Sequence, residues 1–286
     1  MKRIWLITGC STGFGRELAI HAAQQGDTVV GTLRKKEQVD EFDKLVEGKT
    51  HGVLVDVRNA TDISSAMEVI RDSFGQVDVL VNNAGYGSMG PIEEVTDEEV
   101  LNQFEVNVFG AVRMIRAVLP LMRQQRSGHI LNITSIAGLN GFPGIGIYNG
   151  SKFALEGIGE ALAAETAHLG IKVTNIEPGP FRTDWAGRSA TYTESKIEDY
   201  NESAAKNMES IQNVSGKQVG SPKKAAMAMY EVVQLENPPL HLPLGGPAYH
   251  RAKAKFQEFL DEIDQFESIG LPTDYTEEEL KELDQS

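Results

Sequence analysis

The 286-residue chain reads as a doubly wound α/β domain, a mostly parallel sheet of seven strands with helices on both faces. Three observations predict this. Short apolar, β-rich runs bounded by Gly, Asn or Asp alternate with helix-period stretches. A glycine-rich turn joins the first run to the first helix. No internal repeat or low-complexity linker interrupts the first 180 or so residues. Parallel neighbours need a crossover, so such alternation puts helices on both faces of a parallel sheet.

In chain order, strands are expected at residues 4–8, 28–33, 52–57, 77–82, 129–134 and 171–177, with helices between them at 13–25, 37–46, 61–74, 96–122 and 148–168. Thr96 followed by Glu99 is a capping box that opens the fourth helix. Gly170 closes the fifth. After Pro178-Gly179-Pro180 the regularity lapses, and residues 186–216, rich in Ser, Thr, Asn and Glu, read as an insertion or lid with a short helix near 198–210. A helix at 222–235 and a short strand at 240–242 complete a single domain over residues 1–250. Acidic amphipathic helices at 252–266 and 276–283 form an extension, residues 251–286, expected to pack on the domain.

Apolar residues make up 41% and charged residues 24%, close to globular averages, so a buried core is expected. The net charge of −14 argues against nucleic acid and against an anionic membrane surface, both of which favour basic patches. The charge is uneven: from Arg251 onward four basic residues face eleven acidic ones, leaving −7 in the extension alone. A single cysteine, Cys10, excludes an internal disulfide and fits a reducing compartment. The apolar run in MKRIWLITG is too brief for a signal peptide, and none approaches the roughly 18 residues of a membrane span. A cytoplasmic protein is expected. The histidines at 21, 51, 129, 168, 241 and 250 show no ligand spacing, so no metal is expected.

The first strand runs into Gly9-Cys10-Ser11-Thr12-Gly13-Phe14-Gly15. Such a turn lets backbone N–H groups approach a pyrophosphate, and the helix N-terminus adds its partial positive charge. The second strand ends in Leu33 and Arg34, where a dinucleotide site selective for NAD would place a carboxylate for the ribose 2′-hydroxyl. Arg34 can instead pair with a 2′-phosphate, so NADP(H) is preferred and NAD(H) is the secondary candidate. Asp56, closing the third strand, is a candidate for the adenine amino group. Tyr148 and Lys152 stand one helical turn apart and can meet the same ligand.

Taken together these features closely resemble the short-chain dehydrogenase/reductase family, in its GxxxGxG branch and nearest its hydroxysteroid-dehydrogenase-like members. The resemblance covers about residues 1–244 and rests on Thr8 through Gly15, Asp56, Asn82-Asn83-Ala84-Gly85, Asn107, Ser135, Tyr148-Asn149-Gly150-Ser151-Lys152, and Pro178-Gly179 with Thr183. It implies a Rossmann-type fold and a catalytic tetrad of Asn107, Ser135, Tyr148 and Lys152. Tyr148 would be the acid/base. A free tyrosine has a pKa near 10, so its anion needs help, here from Lys152 and the oxidised nicotinamide. Ser135 would hold the substrate oxygen, and Asn107, inside the fourth helix, would hold a water that links Lys152 to solvent.

The same resemblance implies that Gly9, Ser11, Thr12, Gly13, Phe14, Gly15, Arg34, Asp56, Val57, Asn83, Ala84, Gly85, Tyr148, Lys152, Pro178, Gly179, Phe181 and Thr183 contact the cofactor, and that Asn82 steadies the sheet. Two departures stand out. Gly150 occupies a position where relatives often have Ala, and no basic residue precedes Gly13. The expected activity is a carbonyl reductase or alcohol dehydrogenase acting on an apolar small molecule, with Tyr86, Phe142, Pro143 and Trp185 as pocket walls. Competing readings are a cofactor-sensing scaffold without turnover and an NAD-preferring hydroxysteroid-type dehydrogenase. Relatives pair through the fourth and fifth helices, so a homodimer or homotetramer is expected.

Overall fold

A computed structural model describes residues 2–187 and 189–284; Arg188 of the expected insertion and Gln285 and Ser286 of the expected extension lie outside the described residues. The chain winds through β1 (Ile4–Ile7), α1 (Gly13–Gln24), β2 (Thr28–Leu33), α2 (Lys36–Phe42), β3 (Thr50–Leu54), α3 (Ala60–Phe74) and β4 (Val79–Asn82). A short β5 (Gly87–Met89) follows, then α4 (Asp97–Phe104), α5 (Gly110–Gln125), β6 (Gly128–Ile133), α6 (Gly146–Thr166) and β7 (Ile171–Pro178). Last come β8 (Ala190–Tyr192), α7 (Lys206–Asn213), α8 (Pro222–Gln234), β9 (His241–Leu244) and α9 (Gly246–Gln265), with short helices α10 (Glu267–Gly270) and α11 (Glu277–Leu283).

Seven strands form one sheet in the order β3-β2-β1-β4-β6-β7-β9, every pairing parallel. Successive side chains on a strand point to opposite faces, and the core divides accordingly. Trp5 and Ile7 pack with Leu18, Ala226 and Met229 on the α1 and α8 face. Leu6 packs with Ile70, Met114 and Leu162 on the face covered by α3, α5 and α6. Trp5 also donates its indole N–H to Asp27 Oδ2 at 2.9 Å, so this buried indole keeps a partner. The order turns back between β1 and β4, and the ligand crevice of such a sheet lies beyond the carboxyl ends of the strands at that reversal.

Four expectations need correction. The strand expected at 52–57 is Thr50–Leu54, and residues 55–57 continue past it as the loop beside α5. The helix expected to run unbroken over 96–122 is divided by a π-helical turn, Glu105–Phe109, between α4 and α5. That extra residue per turn rotates Asn107 inward, and such turns often sit at functional sites. The short β5 and β8 were not foreseen; they pair with each other and tie the insertion to the region after β4. Finally, the terminal helix begins at Gly246 rather than 252, and the extension does not pack on the domain beyond Ala252: Ala248 and Ala252 are buried, whereas Phe256, Phe259, Leu260, Ile263 and Phe266 are exposed. Past Ala252 the side chains of the helix are mostly exposed, with Phe256, Gln257 and Leu260 still bordering a groove against Pro243 of β9. Among the described residues no helix is long and apolar enough to cross a membrane.

Candidate active site

The glycine loop is built by close approach. Gly9 and Gly13 take φ of +69° and +63°, the left-handed region where a Cβ is disfavoured. A Cβ on Gly15 would lie 2.5 Å from Asn83 Nδ2 and 2.7 Å from the Gly9 carbonyl oxygen, so only hydrogen lets α1 start this close to the turn after β4. Asn83 Nδ2 donates to the carbonyl oxygens of Thr8 and Gly9 at 2.8 and 2.9 Å. Thr8 Oγ1 accepts from the N–H groups of Asn83 and Ala84, both at 2.9 Å. The two turns are thereby one unit. Thr12, at the α1 N-cap, makes no side-chain capping bond, so the first N–H groups of α1 can receive an anion.

Arg34 and Lys35 follow β2 and line the same cleft as Asp56, Val57 and Arg58. Both carboxylate oxygens of Asp56 accept from Arg58, Oδ1 from Nε at 3.0 Å and Oδ2 from Nη2 at 2.6 Å. This hydrogen-bonded guanidinium holds the Asp56 carboxyl below its usual range. An adenine amino group reaching Asp56 would share it with Arg58, a residue that carried no motif in the sequence.

At the other end of the cleft α6 presents Tyr148 and Lys152, both buried. Burial pushes the Tyr148 hydroxyl up to about 12, against a hydrogen bond with Ser135 that favours the phenolate. Burial brings Lys152 down to about 8, opposed by the negative charge of Glu156 one turn on. Lys152 Nζ donates to the Ile133 carbonyl oxygen at 2.8 Å and lies 5.7 Å from the Tyr148 ring centre. Ser135 caps the 3-10 turn Ile136–Gly138, its Oγ accepting from the Ala137 N–H at 3.0 Å.

Asn107 is held by the backbone of Tyr86, accepting from its N–H at 3.0 Å and donating to its carbonyl oxygen at 3.0 Å, and donates also to Ser151 Oγ at 3.2 Å. Gln103 seconds it, donating to the same Tyr86 oxygen at 2.8 Å and accepting from the Ser88 N–H at 2.6 Å. The segment that walls the cleft after β4 is therefore positioned by two amides from α4 and the π-helical turn.

A continuous cleft of about 1060 Å³ joins the two ends. Every residue expected to contact cofactor or substrate lines it except Gly15, Asn107 and Pro143. Gly15 sits beneath the loop, and Asn107 stands behind Tyr86. Pro143 faces the insertion, its carbonyl oxygen accepting from Asn207 Nδ2 at 2.8 Å. Trp185 lies against Tyr148 with ring centres 5.0 Å apart, and Phe14 meets Phe181 edge-on at 5.2 Å. Thr183 Oγ1 caps the turn that carries Trp185.

The sequence reading missed Asn149 and a buried polar ladder. Asn149 donates to the carbonyl oxygens of Ala137 and Asn140 at 2.8 and 2.7 Å and accepts from the Phe142 N–H at 3.1 Å, fixing the loop between β6 and α6. Across the sheet, Asn82 donates to Asn132 and Asn132 to Asn175, each at 3.0 Å, and Asn175 donates to Glu156 Oε2 at 2.6 Å. Beyond it His241 Nδ1 meets Glu177 Oε1 at 2.8 Å and Glu156 Oε2 at 3.5 Å. These carboxylates push His241 up to about 9, while burial and the neighbouring Glu156 charge raise Glu177 to about 7. One signal was available: Asn, depleted in strands, recurs near the carboxyl end of three predicted ones.

The comparisons agree with this geometry. Residues 3–193 match the family model described as short chain dehydrogenase. Oxidoreductase BOA17 of Botryotinia fuckeliana is 37% identical over 93% of this chain and 96% of its own. A 3-ketodihydrosphingosine reductase of Bacteroides thetaiotaomicron is 40% identical over 85% of this chain and 88% of its own. The crystal structure of a short-chain dehydrogenase from Streptomyces avermitilis, 38% identical, superposes with a TM-score of 0.90 over 96% of this chain and 98% of that one. With the seven-stranded parallel sheet and a glycine loop at its crevice, these matches establish that the chain belongs to the short-chain dehydrogenase/reductase family of oxidoreductases.

Proposed function

We propose that the protein is an NADP-dependent oxidoreductase that interconverts an apolar ketone or aldehyde and its alcohol, with Tyr148 as acid/base. The observation that carries this reading is the meeting of the hydroxyls of Tyr148 and Ser135 beside Lys152 in the cleft that the glycine loop opens.

The cradle fits a dinucleotide. Gly9 and Gly13 line the cleft over the first turn of α1, where a pyrophosphate would lie, Gly15 lets that turn pack on Asn83 beneath it, and Arg34 and Lys35 stand at the far end to meet a 2′-phosphate. Asn83, Ala84, Gly85, Pro178, Gly179 and Thr183 would line the intervening stretch. A nicotinamide cofactor bound there supplies or accepts the hydride. The protein's own groups manage the proton. With Tyr148 pushed up and Lys152 down to about 8, both are protonated near neutral pH, so Tyr148 is loaded as an acid for reduction. Ser135 donates to the carbonyl oxygen and places it, Tyr148 delivers its proton to that oxygen, and the Lys152 ammonium stabilises the phenolate left behind. In the alcohol-oxidising direction the phenolate takes the hydroxyl proton.

Among the described residues lining the substrate end Lys152 is the one basic side chain, Arg251 stacking on the Phe142 ring without joining the lining, and Tyr86, Phe142, Ile145, Trp185, Ile211 and Val214 form the walls. Such a lining favours a largely apolar substrate, and the Bacteroides thetaiotaomicron relative is likewise named for a ketone. The test is a panel of apolar ketones and alcohols assayed with NADPH and NADH. Turnover with NADPH supports the reading, and tight NADPH binding without turnover across the panel would overturn it.

A further inference from the structure

The helix α9 carries an apolar seam that, among the described residues, is left about half exposed. Tyr249, Phe256, Phe259, Ile263 and Phe266, with Ala252 among them, follow the 3,4 spacing of a heptad core, and Leu260 flanks it. Except for Ala252 each is about half exposed. Aromatic side chains bury 150–250 Å² each when covered, so this face offers on the order of 500 Å² of apolar surface to a partner. Monomeric proteins rarely leave a larger apolar patch in water.

The charges on α9 are arranged against its own dipole. Its first half bears Arg251, Lys253 and Lys255 and no acid; its second half bears Glu258, Asp261, Glu262 and Asp264 and no base. A helix alone prefers the reverse, acids at the start and bases at the end. Pairing with an antiparallel copy of itself removes the conflict, because the basic half of each helix then lies along the acidic half of the other. The seam is self-complementary in that direction: Tyr249 faces Phe266, Ala252 faces Ile263 and Phe256 faces Phe259, with Lys255 beside Glu262. A groove lined by Pro243, Tyr249, Ala252, Phe256 and Leu260 runs between β9 and α9 and suits the distal turns of the opposing helix. A parallel pair would set base against base and acid against acid.

We infer that α9 is a dimerisation element, the antiparallel partner of α9 from a second copy of this chain, related by a two-fold axis near Phe256–Leu260. The axis makes one patch serve both copies, as an isologous interface requires. About 500 Å² from each copy gives about 1,000 Å² in total, the threshold of a specific interface. The acidity of the extension disfavours an anionic lipid surface as the occupant. This pairing is separate from any through α4, α5 and α6.

The test is sedimentation equilibrium of the full-length protein at micromolar concentration. Leu260→Asp with Ile263→Asp should halve the assembly mass while NADPH affinity stays within twofold. Lys253→Glu with Lys255→Glu should likewise dissociate it, and adding Glu262→Lys with Asp264→Lys should restore the mass. The inference fails if the aspartate pair leaves the mass unchanged, if the charge swap does not restore it, or if the wild type is monomeric, whether or not it binds neutral phosphatidylcholine vesicles through this face.

Discussion

The two ends of the cleft are built from different materials. The nucleotide end is backbone: glycines at positive φ, amide N–H groups, and a turn stitched to its neighbour through Thr8 and Asn83. The end proposed for the substrate is side chain: aromatic walls, an insertion tied down by β8, and titratable groups whose ionisation burial has moved. A backbone cradle recognises what every nicotinamide dinucleotide shares, and a side-chain pocket can differ from one relative to the next. The contrast also says where damage is tolerated. A changed atom in the cradle should hurt binding, and a changed atom in the pocket should hurt turnover.

The strongest attempt to break that contrast is Tyr148→Phe. Removing the proton donor should lower kcat by about 10³-fold, roughly 4 kcal/mol of barrier, with NADPH affinity unchanged by fluorescence titration; retained turnover would refute the assignment. Next, Gly15→Ala forces a methyl to within 2.7 Å of the Gly9 carbonyl oxygen. It should weaken NADPH binding at least about tenfold and lower stability by about 1–3 kcal/mol, seen by titration and denaturant melts. A third, milder change separates the cofactors: Arg34→Leu should raise KM for NADPH by about 10–100-fold, the loss of one charge-assisted pair, and leave KM for NADH nearly as it was.

Two smaller effects lie on and behind α6, away from the nucleotide end. The folded-state pKa of His241 is raised, so its imidazolium stabilises the fold fully below the unfolded value near 6.5, and that contribution is lost as pH rises through about 9. The raised Glu177 acts in the same direction between about 4.5 and about 7, because the folded cluster holds its proton longer. The Tm difference between wild type and His241→Gln should therefore shrink as pH rises from 6.5 to 9; a difference that grows would reverse the assignment. Last, a Cβ on Gly150 would meet only Phe104 at an ordinary 3.6 Å. Gly150→Ala should stabilise the protein by a fraction of about 1 kcal/mol through helix propensity without altering kcat.

Much of the fold was legible because its signals are local. A buried strand between Gly and Asp residues, a capping box at Thr96 and a left-handed Gly170 each depend on a few neighbouring residues, and each stands where the pattern put it. The motif residues Tyr148, Lys152, Ser135 and the glycine loop were readable for a related reason, since each sits at the end of an element that periodicity had already located. The π-helical turn at Asn107 was not readable, because its cause is tertiary: Gly110 packs against Val57 with no room for a Cβ, while Asn107 turns inward to the Tyr86 backbone.

The amino-acid sequence by itself determined the alternation, the glycine cradle, the charge contrast at Arg34 and the family to which the chain belongs. Tertiary structure alone decided which distant residues meet. The Asn82, Asn132, Asn175 and Glu156 ladder joins three strands and a helix, and the ionisation of Tyr148, Lys152, Glu177 and His241 follows from burial and from neighbours far away in the chain. The division has a physical reason. Hydrogen-bonded turns and periodic burial are short-range properties of the chain, whereas desolvation and charge pairing exist only once the sheet has brought those groups together.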